Sequence, residues 1–368
     1  MWLRDSSNQM QSYLPLLQAS KSFDSLASLY RGTINLQARY LLTDPFCNSF
    51  QAPTESGIPP AENGAASNDM VLPEYNNATV FECKYELDSL AAFLEISRNY
   101  YTATNDATFF SQFRWVDAIN AVLDTAQSQM EPTYGLNGEV NNITYQFTRE
   151  TDRTTETQAN DGLGNPVQNG TGLIRSFFRP SDDATIFQFL IPSNMMFSSY
   201  LEDCVEIARA VGQDDLADRM SSMASSVREA IEAHGKVSNA KYGDIYAFEV
   251  DGYTSQNIMD DANIPSLLSA PFIGYLDQKD ETYQNTRKLI LSADNPYFMR
   301  GPVINAIGGP HIGPGYAWPM AAIVRSFTSD DDAEITEQLQ QIVSSTDGLG
   351  LIHESINTFN VSDWTRQW

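Results

Sequence analysis

Apolar residues recur along much of this chain with the period of an α-helix. Between 214 and 233, Leu216, Met220, Met223, Val227 and Ile231 follow one another at intervals of four, three, four and four. That spacing sets one apolar stripe on a helix whose other face carries Asp218, Arg219, Arg228 and Glu229, and Gly235 just beyond supplies a stop. Comparable amphipathic stretches lie near 86–101, 111–129, 197–211, 281–292, 316–328 and 332–345. Gly-, Pro-, Asn- and Asp-rich segments separate them, notably 43–79 and 150–172. Tyr242–Val250 could form short strands, but no sustained alternation supports a sheet-based fold. The pattern predicts an all-α protein with long loops.

One pattern occurs twice. Asp182-Asp183-Ala184-Thr185-Ile186 and Asp260-Asp261-Ala262-Asn263-Ile264 share Asp-Asp-Ala-x-Ile, 78 residues apart, and both lead into apolar runs broken by proline. Two readings stand open. The copies are equivalent points on a ring of helical hairpins, or they are unrelated helix starts, where Asp is favoured in the first turn.

Composition narrows the function. Of 368 residues, 47 are acidic and 22 basic, a net charge of −25, with no basic stripe. Such a chain repels phosphates, so nucleic acid is not an expected partner. The length alone allows two or three domains of roughly 150 residues, though single toroids run longer. Nowhere do the roughly 20 uninterrupted apolar residues of a membrane helix occur. Cys47, Cys83 and Cys204 are too few and too scattered for a zinc site or a disulfide scaffold. They read as buried thiols; a Cys47–Cys83 bridge in an oxidising compartment is compatible with the spacing but not fixed by it. Sequons at Asn77, Asn142, Asn169 and Asn360 are compatible with secretion. No leader precedes Met1, and Asp363–Trp368 is aromatic-rich where a domain usually frays into a polar tail, so both ends read as cut through ordered structure.

The usual nucleophilic and metal signatures are missing from the sequence. It has no Gly-x-Ser-x-Gly elbow and no phosphate loop, and its three histidines are unclustered, so no metal or cofactor is expected. What remains is carboxylates and cations among aromatics. Phe177-Phe178-Arg179-Pro180-Ser181-Asp182-Asp183 puts an Arg and two acids where a loop enters a helix, with Ser181 as the N-cap. Adjacent like charges raise one pKa, as a general acid requires. In Leu351-Ile352-His353-Glu354-Ser355, a Glu between an imidazole and a hydroxyl follows the Gly348–Gly350 turn and could deprotonate a water. Trp2 beside Arg4 and Asp5 offers a sugar an apolar face and a charged pair. Phe81–Asp88 is denser still in acids, around Lys84 and Tyr85, and Gly308–Pro319 is a rigid loop ending in two aromatics. Solvated charged faces or helix caps would account for each of these segments taken singly.

Together, and in this order, those segments resemble glycoside hydrolase family 125, the exo-α-1,6-mannosidases. The landmarks are Met1–Ser7, Phe81–Asp88, Phe178–Asp183 with Ile191–Met195, Met259–Ser266, Gly308–Pro319 and His353–Ser355, nearly end to end; the loop-rich form is more like fungal members. The resemblance implies one (α/α)6 toroid over 1–368, lacking an N-terminal segment and a last helix after the Trp near Trp368. It also implies metal-independent, inverting removal of terminal α-1,6-linked mannose from N-glycans or mannan oligosaccharides. Carried over, the general acid is one of Asp182 and Asp183, with Asp183 preferred, and Glu354 is the base. Arg4, Asp5, Lys84, Glu86, Arg179, Asp261, Asn263, His311, Trp318 and His353 are candidates for holding the sugar. An α-glucosidase on the same toroid and a non-catalytic glycan-binding fragment are the competing expectations. The acidic charge and the sequons favour the secretory pathway or the exterior.

Overall fold

The computed structural model describes residues 1–366, so Trp368 and the helix expected beyond it lie outside the described residues. Among the described residues the α-helices are α1 (Leu3–Gln11), α2 (Leu26–Thr43), α3 (Leu87–Thr104), α4 (Ala107–Gln112), α5 (Trp115–Ser128), α6 (Ile191–Asp203), α7 (Val205–Ala210), α8 (Asp214–Ala230), α9 (Glu281–Ile290), α10 (Pro319–Phe327) and α11 (Asp332–Ser344). The clearest periodic stretch becomes α8, with Leu216, Met220, Met223 and Val227 buried, and it ends in a wide turn, Ile231–Gly235. Asp214 and Asp215 in its first turn and Arg228 in its last suit the helix dipole.

Boundaries differ where capping or proline overrides periodicity. The 111–129 stretch breaks at Phe113–Arg114, and α4 starts earlier because the Asp106 carboxylate accepts from the Phe109 N–H. Likewise the 197–211 stretch begins at Ile191, with Pro192 in the first turn, and breaks at Cys204. At 316–328, Tyr316–Ala317 is a strand and Pro319 opens the helix.

The α3 and α6 helices form the centre, packed on each other and buried over nearly their whole surface. Around them, α1 and α2 lie on α3, α8 lies on α6, and α10 pairs with α11. Buried polar groups on α3 tie this centre together. Glu95 accepts from Gln11 (2.6 Å) and from the Tyr200 hydroxyl (3.0 Å), and Ser97 accepts from the Trp115 indole (3.1 Å). Each thereby satisfies a group whose isolation would cost about 1–3 kcal/mol.

The strands are short and pair antiparallel. Gly243–Tyr246 and Glu249–Val250 are strands, as the 242–250 pattern suggests. Two other small sheets position the site. Ser49–Phe50 pairs with Val80–Glu82, and Trp2 bridges to Ser49. Tyr316–Ala317, Ile356–Asn357 and Asn360–Trp364 form the second. A Cys47–Cys83 disulfide joins the segment just before Ser49 to the residue after Glu82, beside the first sheet, so two of the cysteines are not thiols, while Cys204 is free and buried.

Neither Asp-Asp-Ala-x-Ile copy starts a helix. The first leads through strand Phe189–Leu190 into α6, whereas no α-helix follows the second until Glu281, so the copies do not occupy equivalent places.

Candidate active site

A cavity of about 590 Å³ is walled by α1, the Pro180–Asp182 turn, Asn263, His311, Trp318 and the segment around Glu354. It collects groups from five separated stretches of the chain. Arg4, Asp5, Asp182, Asn263, His311, Trp318 and Glu354, all singled out from the sequence, line it. A cavity of about 640 Å³ elsewhere, lined by Asp69, Met70, Tyr75 and Gln146 among others, brings no comparable set of groups together.

The turn carrying the two aspartates is fixed by aromatic packing on one side and backbone bonds on the other. Phe177 packs edge-on against Tyr145 at 4.8 Å and Phe178 against Phe147 at 4.7 Å. The Arg179 N–H donates to the Asp183 carbonyl (2.7 Å), and the Asp182 N–H donates to the Arg179 carbonyl (2.9 Å). Closing so tight a loop puts Asp182 in the left-handed region, φ +69°. This geometry corrects the sequence reading: there is no helix after Ser181, and its hydroxyl donates to the Asp183 carboxylate (3.2 Å) instead of capping a backbone N–H.

The same geometry turns the two neighbouring carboxylates apart. The Asp182 side chain is 40% exposed and lines the cavity, whereas that of Asp183 is 2% exposed, behind the wall. One Asp183 oxygen lies 3.5 Å from His311 Nδ1. That contact raises the imidazole pKa against the opposing pull of burial, with Asp182 and Glu354 adding smaller electrostatic contributions.

Behind Asp182 runs a ladder of alternating charge. Lys84 Nζ is 3.4 Å from Asp182 and 3.5 Å from Glu82. Glu82 in turn receives Arg149 (3.1 Å), which is bidentate on Asp69 (2.6 and 2.8 Å). Burial pulls the Lys84 pKa down, but Asp182 and Glu82 outweigh it and raise it. Glu86, held by Asn48 and Ser89, is pushed well up by burial and by the neighbouring charges of Asp88 and Asp182. Asp88 rises to about 6 through burial, which Arg4 partly offsets. Arg4 also donates to the Pro180 carbonyl (2.6 Å), fastening α1 to the aspartate turn.

Glu354 also lines the cavity and stands at the base of the hairpin Ile356–Trp364, not in a helix cap. Its Oε2 accepts from Thr365 Oγ1 (3.0 Å) and Arg366 Nε (3.2 Å), and among the described residues Oε1 has no hydrogen-bond partner. Its sequence neighbours do not hold it. His353 stacks on Trp364, with ring centroids 4.3 Å apart, and is buried away from the cavity, so its expected role in holding the sugar is not supported by its position.

Lys84, Glu86, Arg179 and Asp261 also stand behind the cavity wall, acting on the groups that line it. Arg179 pairs with Glu249 (2.6 Å), and Asp261 accepts from the Asn263 side chain (2.9 Å). Several buried polar atoms around the site have no hydrogen-bond partner among the described residues, Asp261 Oδ2, Arg179 Nη2 and the Trp318 indole nitrogen among them. Of these, Trp318 lines the cavity, and an unpaired buried donor there suits a polar ligand. Sequence reasoning missed Asn8, Gln9, Met320 and Arg366 in the lining and Glu249 behind it. A helix over 3–11 would have revealed two of these, since Asp5, Asn8 and Gln9 fall at i, i+3 and i+4 on one face.

Comparison with known proteins identifies the family. The family described as metal-independent α-mannosidase (GH125) matches residues 1–368. The "Meiotically up-regulated gene 157 protein" of Schizosaccharomyces pombe is 44% identical over all of this chain and 71% of its own length. A Streptococcus pneumoniae structure from work on metal-independent α-mannosidases, a non-productive substrate complex with α-1,6-mannobiose, superposes with a TM-score of 0.88. It is 33% identical, over all of this chain and 82% of that one. A bacterial glucoamylase complexed with acarbose shares only the fold, at 12% identity and a TM-score of 0.56, over 98% of this chain and 45% of its own. The chain belongs to glycoside hydrolase family 125, the metal-independent α-mannosidases.

Proposed function

We propose that this protein removes terminal α-1,6-linked mannose from N-glycans or mannose oligosaccharides with inversion, on one (α/α)6 toroid. The observation that carries the reading is the pair of carboxylates, Asp182 and Glu354, facing one cavity from distant parts of the chain. The α-1,6 linkage rests on the mannobiose held by the Streptococcus pneumoniae relative. In this reading protonated Asp182 donates to the leaving glycosidic oxygen. Glu354 draws a proton from a water that attacks the anomeric carbon from the other face. Asp182 is preferred to Asp183 because its carboxylate is open to the cavity, while Asp183 orients His311. Glu354 is anchored through Oε2, which leaves Oε1 to hold the water. Asp5, Asn263, His311 and the Trp318 indole ring the space for the mannose.

We also place the protein in the secretory pathway or outside the cell. Asn77, Asn142, Asn169 and Asn360 are all exposed, and the Cys47–Cys83 disulfide suits an oxidising compartment.

The test is mannose release from α-1,6-, α-1,3- and α-1,2-mannobiose and from α-glucosides. Faster turnover of the glucosides would overturn the substrate assignment. Asp182→Asn should lose mannobiose hydrolysis yet keep activity on 2,4-dinitrophenyl α-mannoside, whose leaving group needs no proton. If Asp183→Asn shows that signature instead, the acid is Asp183.

A further inference from the structure

The catalytic cavity does not end at its aromatic rim. Trp2, which lines it, meets Phe81 edge-on at 5.4 Å, and Phe81 lines a second cavity of about 490 Å³. That cavity shares Tyr75 and Asn77 with the one of about 640 Å³, so the two form one trough running away from the Trp2–Phe81 ridge. Each falls in the roughly 300–1,000 Å³ range of small-molecule sites.

Its walls are pinned in place. The Gln51 amide donates to the carbonyls of Ala61 (2.9 Å) and Asn77 (3.2 Å) and accepts from the Ala61 N–H (3.0 Å). The Asn63 amide donates to the Phe81 carbonyl (3.1 Å). Together these bonds fix the 54–79 loop against the strand Val80–Glu82. Phe81 and Tyr75 then offer ring faces, and Glu62 and Asn77 offer polar groups. No Lys or Arg lines either cavity, and Glu74 and Asp161 add negative charge, so an anionic ligand is disfavoured. Aromatic faces with amide and carboxylate groups and no cation suit a neutral polyol.

We infer that this trough binds further sugar units on the leaving-group side of the same neutral oligosaccharide, across the Trp2–Phe81 ridge. The inference rests on the activity proposed above. A glycosidase with such a trough prefers chains longer than a disaccharide, because the extra contacts lie outside the reacting unit.

The test compares kcat/KM on linear α-1,6-mannotetraose with that on α-1,6-mannobiose. Asn77 lies in a sequon, so the comparison is made in a Thr79→Ala background, which frees the trough of any glycan attached to the chain itself. The tetraose should be favoured about tenfold. Tyr75→Ala should cut that preference about fivefold, the size of one aromatic contact, and leave mannobiose kinetics unchanged. Glu62→Ala, at an exposed position, is the second variant should Tyr75→Ala fail to fold. Equal kcat/KM on both substrates, or a preference that neither variant lowers, would overturn the inference. If mannobiose is not cleaved at all, the activity reading fails separately. Saturation-transfer NMR with the tetraose then decides: a signal lost in Tyr75→Ala keeps the trough, and no signal in the parent protein removes it.

Discussion

The two Asp-Asp-Ala-x-Ile segments read alike in sequence and do different work. In the first, the left-handed backbone at Asp182 turns one carboxylate into the cavity and leaves Asp183 beside His311. In the second, both carboxylates are buried. Asp260 accepts from the N–H groups of Leu267 (2.8 Å) and Leu268 (3.0 Å), so it organises a loop, and Asp261 holds Asn263. A shared pentapeptide therefore does not mean a shared role. What separates the two is the backbone conformation at the first Asp and the hydrogen-bond donors that surround it.

The largest effect expected from breaking this contrast is on activity. Asp182→Asn should lower kcat on α-1,6-mannobiose about 10²- to 10⁴-fold, with stability changed by no more than about 0.5 kcal/mol, measured by urea unfolding. Asp260→Ala should do the reverse. It leaves two buried N–H groups without acceptors and should cost about 3 kcal/mol of stability in the same assay, while the folded fraction keeps its turnover.

Smaller effects sharpen the comparison. Gly309→Ala would place a Cβ 2.7 Å from Asp261 Oδ2. Asp261 must then shift, and kcat should fall several-fold, roughly 1 kcal/mol of barrier. Asp183→Asn removes the group that raises the His311 pKa, so an NMR titration should find that pKa lower than in the parent. A further prediction concerns pH. Burial lifts Asp260 to about 8 despite its backbone donors, against an ordinary value of about 3.9 when unfolded. Between those values the folded state holds a proton that the unfolded state has lost, so this group makes stability fall as pH rises from about 4 to 8. Asp260→Asn should flatten that slope in thermal melts.

How much was legible follows the same division between regular and irregular backbone. The α8 helix was readable because its stripe is apolar throughout, whereas α2 was not. Its buried face includes Gln37, whose amide donates to the Leu3 carbonyl and to Ser6 and Ser7, so a polar residue interrupts the stripe for a tertiary reason. The α1 helix buries Leu3, Ser7 and Met10 and is otherwise polar, which gives periodicity nothing to detect. At the site, the motifs brought Asp182, Glu354 and most of the cavity lining to notice. The Ser181 cap was misread because a left-handed Asp is invisible in residue identity. His353 was misplaced because adjacent residues of an extended segment point to opposite sides, so proximity in sequence to Glu354 argued against a shared face. Glu249 and Arg149 gave no local signal at all, since their partners lie about 70 residues or more away or on other strands.

The central claim, that two carboxylates invert the anomeric centre of an α-mannoside, is tested most directly by proton NMR of α-1,6-mannobiose during hydrolysis. This account predicts that β-mannose appears first and then mutarotates toward the equilibrium mixture. If α-mannose appears first, the inverting assignment of Asp182 and Glu354 is contradicted.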